Sequence, residues 1–339
     1  MTKDFDIKIE EVYYNKKKKH ESSELCLKIT GKDCNIKLLS CLRRVCVNYI
    51  PTHAFNPSNI LIEQNTCVAF NNDYMRLRLS QIPVFNINSD LSFLHNKYWK
   101  GINYADTNRE KHPDEKNIKI YINSHNNSNE IKAVTTKDVK CYINDEQVEM
   151  FDHEAPILVV LLRPNDSFKA MMSSSLGIGE NNTIYCSCSN GWATYDEEIK
   201  DNGERIYKSG ELFLKSRGQL SEYKILKLAC EFLIKKYDDL KNDIIKRVNS
   251  KEINAEKILI LTLDDEDFTL LEPLNFEIQD HTNVLYSGIA KPDHQIKSMI
   301  LKIETDGKKS PSDIIIEICD NLIKKIKVIL NNTNKLSKS

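Results

Sequence analysis

The stretch that decides the fold is Leu212-Phe213-Leu214-Lys215-Ser216-Arg217-Gly218-Gln219-Leu220-Ser221. It returns 89 residues later, from position 212 to position 301, as Leu301-Lys302-Ile303-Glu304-Thr305-Asp306-Gly307-Lys308-Lys309-Ser310. Both copies alternate apolar and polar residues and then reach a glycine, which predicts a strand followed by a turn. The match continues without a gap, because Cys230 corresponds to Cys319. The chain therefore contains an internal repeat.

The segment after each glycine turn has the signals of a long amphipathic helix. In the second copy Ser310 can serve as the N-cap, Pro311 suits the first helical position, and Asp313 stands where a capping box places an acidic residue. Apolar residues then recur at helical spacing in both copies. The pattern predicts helices near residues 221–245 and 310–331.

A second self-match lies upstream of each of these helices. Leu42 aligns with Leu274 at an offset of 232 residues, and the neighbouring leucines align as well. Both segments predict a strand that ends in a polar turn and is followed by a short helix, near residues 36–47 and 267–280.

The two offsets, 89 and 232, differ by 143 residues, so the first copy holds a domain-sized segment that the second copy lacks. The predicted organisation is a discontinuous first unit of residues 1–50 and 156–248, an inserted domain of residues 51–155, and a second unit of residues 252–339. The polar stretch 238–256 is expected to link the two units.

The predicted fold class is α+β, with a mostly-β inserted domain and with the two repeated units packed as an intramolecular pseudo-dimer. Each unit presents an apolar helix face that it cannot bury alone, and two matching faces can cover each other. The residues expected in this interface are Leu38, Leu39, Leu42, Ile225, Ala229, Phe232, Leu233, Leu270, Leu274, Ile314, Ile315, Ile318 and Leu322.

The balance of charge limits the kind of partner. The 339 residues include 48 Lys and Arg against 49 Asp and Glu, a formal net charge of -1. Proteins that bind nucleic acid over a wide face carry a positive excess, so we expect protein partners and no direct sequence-specific contact with nucleic acid.

No apolar run approaches the roughly 20 residues that span a bilayer. The N-terminus lacks an apolar signal core, so we expect an intracellular protein without membrane contact.

The ten cysteines are scattered, and none stands in a Cys-x-x-Cys pair. We expect buried small hydrophobes rather than disulfides, and no catalytic residue, cofactor or metal site. Two alternatives stay open. Cys186 and Cys188 could bind a metal together with His153 or His281, and a Cys/His site in the inserted domain would make the chain a soluble enzyme.

Several segments resemble subunits of RNA polymerase. Leu38-Leu39-Ser40-Cys41-Leu42-Arg43-Arg44-Val45, followed by Ile50-Pro51, resembles the signature helix of the bacterial α subunit and of the third subunit of RNA polymerase II. Leu162-Arg163-Pro164 and Leu176-Gly177-Ile178-Gly179 resemble the L-R-P-G and G-I-G-K elements of that family. Glu266-Asp267-Phe268-Thr269-Leu270 and Asn283-Val284-Leu285-Tyr286-Ser287-Gly288 are similar to motifs of the eleventh subunit.

The resemblance covers nearly the whole chain and implies third and eleventh subunits fused in one polypeptide, as in the polymerases of large cytoplasmic DNA viruses. It implies a non-catalytic platform that docks the two largest polymerase subunits and small polymerase subunits, and that is not a homo-oligomer. Arg43, Arg44, Gly177 and Gly179 would face the large subunits. The expected location is the viral factory in the host cytoplasm, and the virion. A scaffold unrelated to transcription is the remaining alternative.

Two departures from the family pattern bear on binding sites. Glu180 stands where the family has a lysine after G-I-G, so an anion contact is not expected there. Cellular third subunits often carry a cysteine cluster, whereas the inserted segment here contains Cys67 and Cys141 alone. Two cysteines are too few for a tetrahedral site, and no metal is predicted.

Overall fold

The computed structural model describes residues 5–16, 23–85, 87–106, 108–201, 205–253, 255–293 and 295–338. The α-helices in these ranges are α1 (Ile36–Asn48), α2 (Asn72–Ser80), α3 (Glu222–Asn249), α4 (Phe268–Gln279) and α5 (Pro311–Leu336). None of these described helices combines the length and the apolarity that crossing a membrane requires.

The strands are β1 (Lys8–Asn15), β2 (Glu24–Thr30), β3 (Thr52–Ala54), β4 (Ile60–Asn65), β5 (Ile118–His125), β6 (Lys132–Thr135), β7 (Val139–Ile143), β8 (Glu146–Val148), β9 (Leu158–Leu162), β10 (Ser167–Ser173), β11 (Ser175–Gly177), β12 (Cys188–Ile199), β13 (Arg205–Ser216), β14 (Ile258–Asp264), β15 (Val284–Ala290) and β16 (Ser298–Thr305). The mixture of helices and antiparallel sheets is the predicted α+β class.

All four predicted helices are present, and the local sequence explains where they begin. Asn35 caps α1, because its side chain accepts a hydrogen bond from the N–H of Leu38 at 2.8 Å. Ser310 caps α5 by accepting from the N–H of Asp313 at 3.2 Å, and Pro311 occupies the first turn. These side chains satisfy N–H groups that have no partner inside the helix.

The predicted start of the linker, at residue 238, is wrong. Helix α3 continues through the polar stretch to Asn249. Tyr237, Leu240 and Ile244 remain buried along one face of this helix. One apolar residue in every three or four positions is enough to hold a helix against a core, so polar composition alone does not mark its end. The connection between the two units is confined to residues 250–257.

Each repeated unit builds an antiparallel sheet. The first sheet has the order β1-β2-β13-β12, and the second has the order β14-β16-β15. β13 and β16 contain the first half of the ten-residue repeat, and β2 and β14 precede the matching short helices. The order β2-β13-β12 therefore corresponds to β14-β16-β15, and β1 is an additional edge strand of the first sheet.

The inner faces of both sheets share one continuous apolar core with α1, α3, α4 and α5. α3 packs on α5 and α1 packs on α4, so each helix contacts its counterpart from the other repeat. The buried Tyr237 of α3 donates its hydroxyl proton to the carbonyl of Leu270 on α4 at 3.0 Å. Each fully buried Leu or Ile contributes about 1.5–3 kcal/mol, and residues of both units contribute to this core.

The segment between α1 and β11 has an apolar core of its own. The sheet β4-β10-β5-β7-β8 and the pair β6–β9 surround buried residues that run from Phe55 to Met172. β9 and β10 belong to this core although they lie beyond residue 155, where the sequence placed the end of the insertion. An alternating pattern identifies a strand but not the sheet that it joins, because pairing is decided by the tertiary structure.

A short strand pair forms the passage between the inserted segment and the first unit. In this pair β3 lies antiparallel to β11, with His53 opposite Leu176. His53 is buried, its Nε2 accepts from the N–H of Lys116 at 3.0 Å, and its own N–H donates to Oε1 of Gln219 at 3.0 Å. Burial, together with the charge of Lys116, lowers the pKa of His53 to about 4.

His53 should make stability depend on pH. Between its folded-state pKa of about 4 and the ordinary value of 6.5, the unfolded chain binds a proton that the folded chain excludes. The contribution of neutral His53 to the free energy of unfolding is complete above that window and decreases as the pH falls through it. Near pH 4.5 the decrease is on the order of 2 kcal/mol. Urea unfolding at about pH 7 and about pH 4.5 measures the decrease.

The matched control is His53→Gln, whose amide oxygen can accept from Lys116 but does not titrate. This variant should lose on the order of 2 kcal/mol less stability than the wild type over the same pH range. Equal losses in the two proteins would contradict the assignment to His53.

Candidate assembly interface

The helices shared by the two repeated units form the candidate functional site. All thirteen residues expected in the interface are buried, and they lie in the common core. They are on α1 (Leu38, Leu39, Leu42), α3 (Ile225, Ala229, Phe232, Leu233), α4 (Leu270, Leu274) and α5 (Ile314, Ile315, Ile318, Leu322). The structure therefore brings together residues that are up to 284 positions apart, from 38 to 322.

A charged pair lies inside this largely apolar contact. Lys325 of α5 donates to both carboxylate oxygens of Glu277 on α4, at 2.7 and 2.8 Å. The two side chains are 7% and 16% exposed. Asn35, the N-cap residue of α1, donates its amide to Oε1 of Glu277 at 3.1 Å. Because each partner needs a fixed position to keep these bonds, the network holds α1 in register against α4 and α5.

Two further polar contacts join the units beside the apolar core. Tyr49, at the end of α1, donates its hydroxyl proton to Oδ2 of Asp267 at 2.6 Å. Lys236 of α3 forms an ion pair with Glu266. Burial raises the pKa of Glu266, although the charge of Lys236 acts in the opposite direction. These contacts could not be predicted from the sequence, because an isolated charged residue on a helix does not reveal its partner.

Arg43 and Arg44 lie on α1 outside the shared core, and both are half-buried. Burial lowers the pKa of Arg43, and the neighbouring charge of Arg44 lowers it further. Neither guanidinium forms an ion pair with another residue in the described part of the chain. Two adjacent guanidinium groups without an acidic partner suit the carboxylates of a second protein, because the planar fork of arginine binds carboxylates bidentately.

Gly177 and Gly179 are explained by packing within the chain. A Cβ atom on Gly177 would lie 2.8 Å from the ring of Tyr185, and one on Gly179 would lie 2.7 Å from Sγ of Cys186. Gly177 is buried, so its expected place on a docking surface is not supported. The two glycines allow this loop to approach Tyr185 and the end of α1 closely.

Glu180 follows these glycines and connects the two units. Its N–H donates to the carbonyl of Asn48 at 2.9 Å, and its Oε1 accepts from Nζ of Lys297 at 3.0 Å. Lys297 precedes β16 in the second unit. The glutamate that replaces the lysine of the family pattern therefore has an internal partner of opposite charge.

A cavity of about 40 Å³ lies on the boundary between the units. Its walls include Tyr49, Trp99, Phe232, Leu270 and Lys297. This volume can hold a few water molecules and is far smaller than the several hundred cubic ångströms typical of a ligand pocket.

The cysteines proposed for a metal or catalytic site have an environment that disfavours the thiolate. Burial raises the pKa of Cys141 and of Cys188 to about 12, and the protonated thiol is neither the nucleophile nor the metal ligand. Cys186 follows a short 3₁₀ turn, whereas Cys188 begins β12, so the two sulfurs are not held on one face of a strand. Among the described residues, no three His, Cys, Asp or Glu side chains are grouped to bind a metal ion.

The buried ion pair should be required for stability. Lys325→Met leaves the Glu277 carboxylate without its cation and should lower the free energy of unfolding by about 3 kcal/mol. The double variant Lys325→Met with Glu277→Gln removes both charges and keeps an amide oxygen for Asn35, so it should recover part of that loss. Urea unfolding measures each value.

The control for this series is Lys327→Met, which changes an exposed lysine of the same helix and should alter stability by no more than about 0.5 kcal/mol. A double variant that is less stable than Lys325→Met alone would refute the idea that the unpaired carboxylate causes the loss.

Comparisons with known proteins agree with this geometry. Residues 259–332, from β14 into α5, match the family model of the RNA polymerase Rpb3/Rpb11 dimerisation domain. The chain is also 23% identical over 326 residues to a protein of Acanthamoeba polyphaga mimivirus that is described as a DNA-directed RNA polymerase subunit, and the alignment covers 90% of this chain and 88% of that protein. The resemblance found in the sequence is therefore confirmed: residues 259–332 match an Rpb3/Rpb11 dimerisation domain, and the chain is similar to a DNA-directed RNA polymerase subunit of a virus.

Proposed function

We propose that this chain is a non-catalytic assembly platform of a DNA-directed RNA polymerase, on which the two largest subunits and small polymerase subunits dock. The observation that carries the proposal is the single core shared by two repeated units, because a matched pair of α-like units is the element that nucleates such an enzyme. The catalytic groups for nucleotide addition would lie in the large subunits.

The proposed architecture is an intramolecular pseudo-dimer with an insertion in its first unit. The pairing of α1 with α4 and of α3 with α5 supports it, since each helix contacts its counterpart from the other unit, as in a two-fold pair. The apolar core of the segment between α1 and β11 extends from Phe55 to Met172. Its extent supports a division into a first unit of residues 1–50 and 174–249, an inserted domain of residues 51–173 and a second unit of residues 252–339.

Fusion of the two units changes how they associate. In one polypeptide the effective concentration of one unit near the other is set by a short connection and reaches about the millimolar range. The pseudo-dimer would therefore form before any other subunit binds and without a separate partner chain. A relative of similar length in a large virus supports a role in a viral enzyme, and we propose the viral factory of the host cytoplasm and the virion as its locations.

The surface of α1 that carries Arg43 and Arg44 is the proposed site for a large subunit. These two groups lack an acidic partner among the described residues, and α1 is held at its ends by Asn35 and Tyr49. Gly179 and Glu180 lie next to the end of α1 and would border the same surface. A large subunit that docks there would supply carboxylates.

Purification of the tagged chain from its source tests the proposed function directly. Two very large polymerase subunits should be recovered with it in stoichiometric amounts. Recovery of the chain alone, under conditions in which the polymerase is present and intact, would favour a scaffold unrelated to transcription.

The shared core should be required for assembly. Leu42→Asp and Ile318→Asp each place a charge at a buried position and should lower the free energy of unfolding by about 3 kcal/mol or more. Recovery of the polymerase complex should fall together with stability. Lys327→Asp, at an exposed position of α5, is the control and should leave both quantities unchanged. Normal stability of Leu42→Asp or Ile318→Asp would contradict the pairing model.

The arginine pair should be required for docking but not for folding. The double variant Arg43→Glu with Arg44→Glu should unfold at the wild-type urea concentration and yet bind the large subunits at least about tenfold more weakly. Lys324→Glu with Lys327→Glu makes the same change in charge on α5 and should bind normally. Unchanged binding by the arginine variant would exclude this surface as the docking site.

A further inference from the structure

The two repeated sheets differ at one edge. In the first sheet β1 pairs with β2 from Lys8 to Asn15. In the second sheet β14, the counterpart of β2, pairs with β16 on one side, and no strand in the described part of the chain pairs with its other side. The backbone N–H and C=O groups along that side of β14 are therefore available for another strand.

The side chains of β14 indicate that this edge is covered in the working complex. Leu259, Leu261 and Leu263 point into the shared core, whereas Ile258 and Ile260 are 52% and 62% exposed on the outer face. A free edge with exposed isoleucines favours unwanted pairing and aggregation, and proteins that leave such edges open usually place charges or proline there.

Acidic residues stand at both ends of the exposed pair. Glu256 precedes β14 and Asp264 is its last residue, and both are exposed and form no ion pair with another described residue. Like charges that face each other across a strand pair are destabilising. An edge with this pattern favours a basic partner over a second copy of the same edge.

The first unit shows what an added strand looks like on the corresponding edge. β1 lies antiparallel to β2, with Glu10 opposite Lys28 and Tyr13 opposite Cys26 on the outer face. Two pairs on the outer face thus place opposite charges together and apolar side chains together. It also places Ile9 in the shared core.

We propose that the free edge of β14 binds an extended segment of another polymerase subunit by strand addition. The segment would carry apolar residues at two alternate positions, facing Ile258 and Ile260, and Lys or Arg beyond them, facing Glu256 and Asp264. Main-chain hydrogen bonds provide the binding and the alternate side chains provide the selectivity. This inference rests on the proposed role of the chain as a polymerase subunit.

Hydrogen exchange of the β14 amides in the isolated chain and in the purified polymerase tests the proposal. Every second amide of β14 faces β16, and the others face the open side. Assembly should slow exchange of the open-side amides by at least about tenfold, and the amides that already pair with β16 should change less. The inference would be overturned if the open-side amides exchanged at the same rate in a complex that contains the large subunits. Failure to recover any complex would instead count against the proposed function.

The variant for this test is Ile260→Lys, which places a charge on the exposed face of the edge. It should fold normally and should reduce the protection of the open-side amides at least about tenfold. Ile131→Lys changes an isoleucine of the inserted domain that is 66% exposed and should leave protection unchanged. A second copy of the chain is the alternative occupant. In that case the open-side amides would be protected in the isolated wild-type chain at high concentration, and sedimentation would show a dimer that Ile260→Lys abolishes. This result would overturn the proposal.

Discussion

The contacts of α3 with α5 and of α1 with α4 remove from water apolar faces that neither repeated unit can cover with its own sheet. Everything else in the chain is arranged around this requirement. The segment between α1 and β11, which has its own apolar core, is joined to the first unit through the short β3–β11 pair. Because burial of apolar area is the dominant favourable term in folding, the chain cannot separate its two units without exposing a large part of its interior.

The apolar faces explain why the units associate, and the polar groups explain why they associate in one way. Helices covered with Leu and Ile can slide or rotate at modest cost, whereas the Glu277–Lys325 pair and the Asn35 amide satisfy one another in a single register. Tyr49 and Asp267 add a second fixed point at the other end of α1. This arrangement holds α1 in a constant orientation, with Arg43 and Arg44 outside the shared core.

The two repeated units have the same topology but differ in what is added to it. The units share strand order and helix pairing, but the first has an extra edge strand, and the segment between α1 and β11 has an apolar core of its own. The second unit keeps the bare three-stranded sheet, with Ile258 and Ile260 exposed on β14. Equivalent edges of the two sheets are therefore covered in the first unit and open, among the described residues, in the second.

The sequence by itself predicted the repeat, the four helices, thirteen residues that are buried in the common core and the resemblance to RNA polymerase subunits, because the 3.6-residue and two-residue periods and the 89-residue offset are local or self-referential signals. Tertiary structure alone decided that β9 and β10 join the inserted domain, that α3 continues to Asn249, that Gly177 is buried against Tyr185, and that Glu180 meets Lys297. Each of these features depends on which distant segment packs against the one in question. The residue pattern of a single segment does not predict which segment that is.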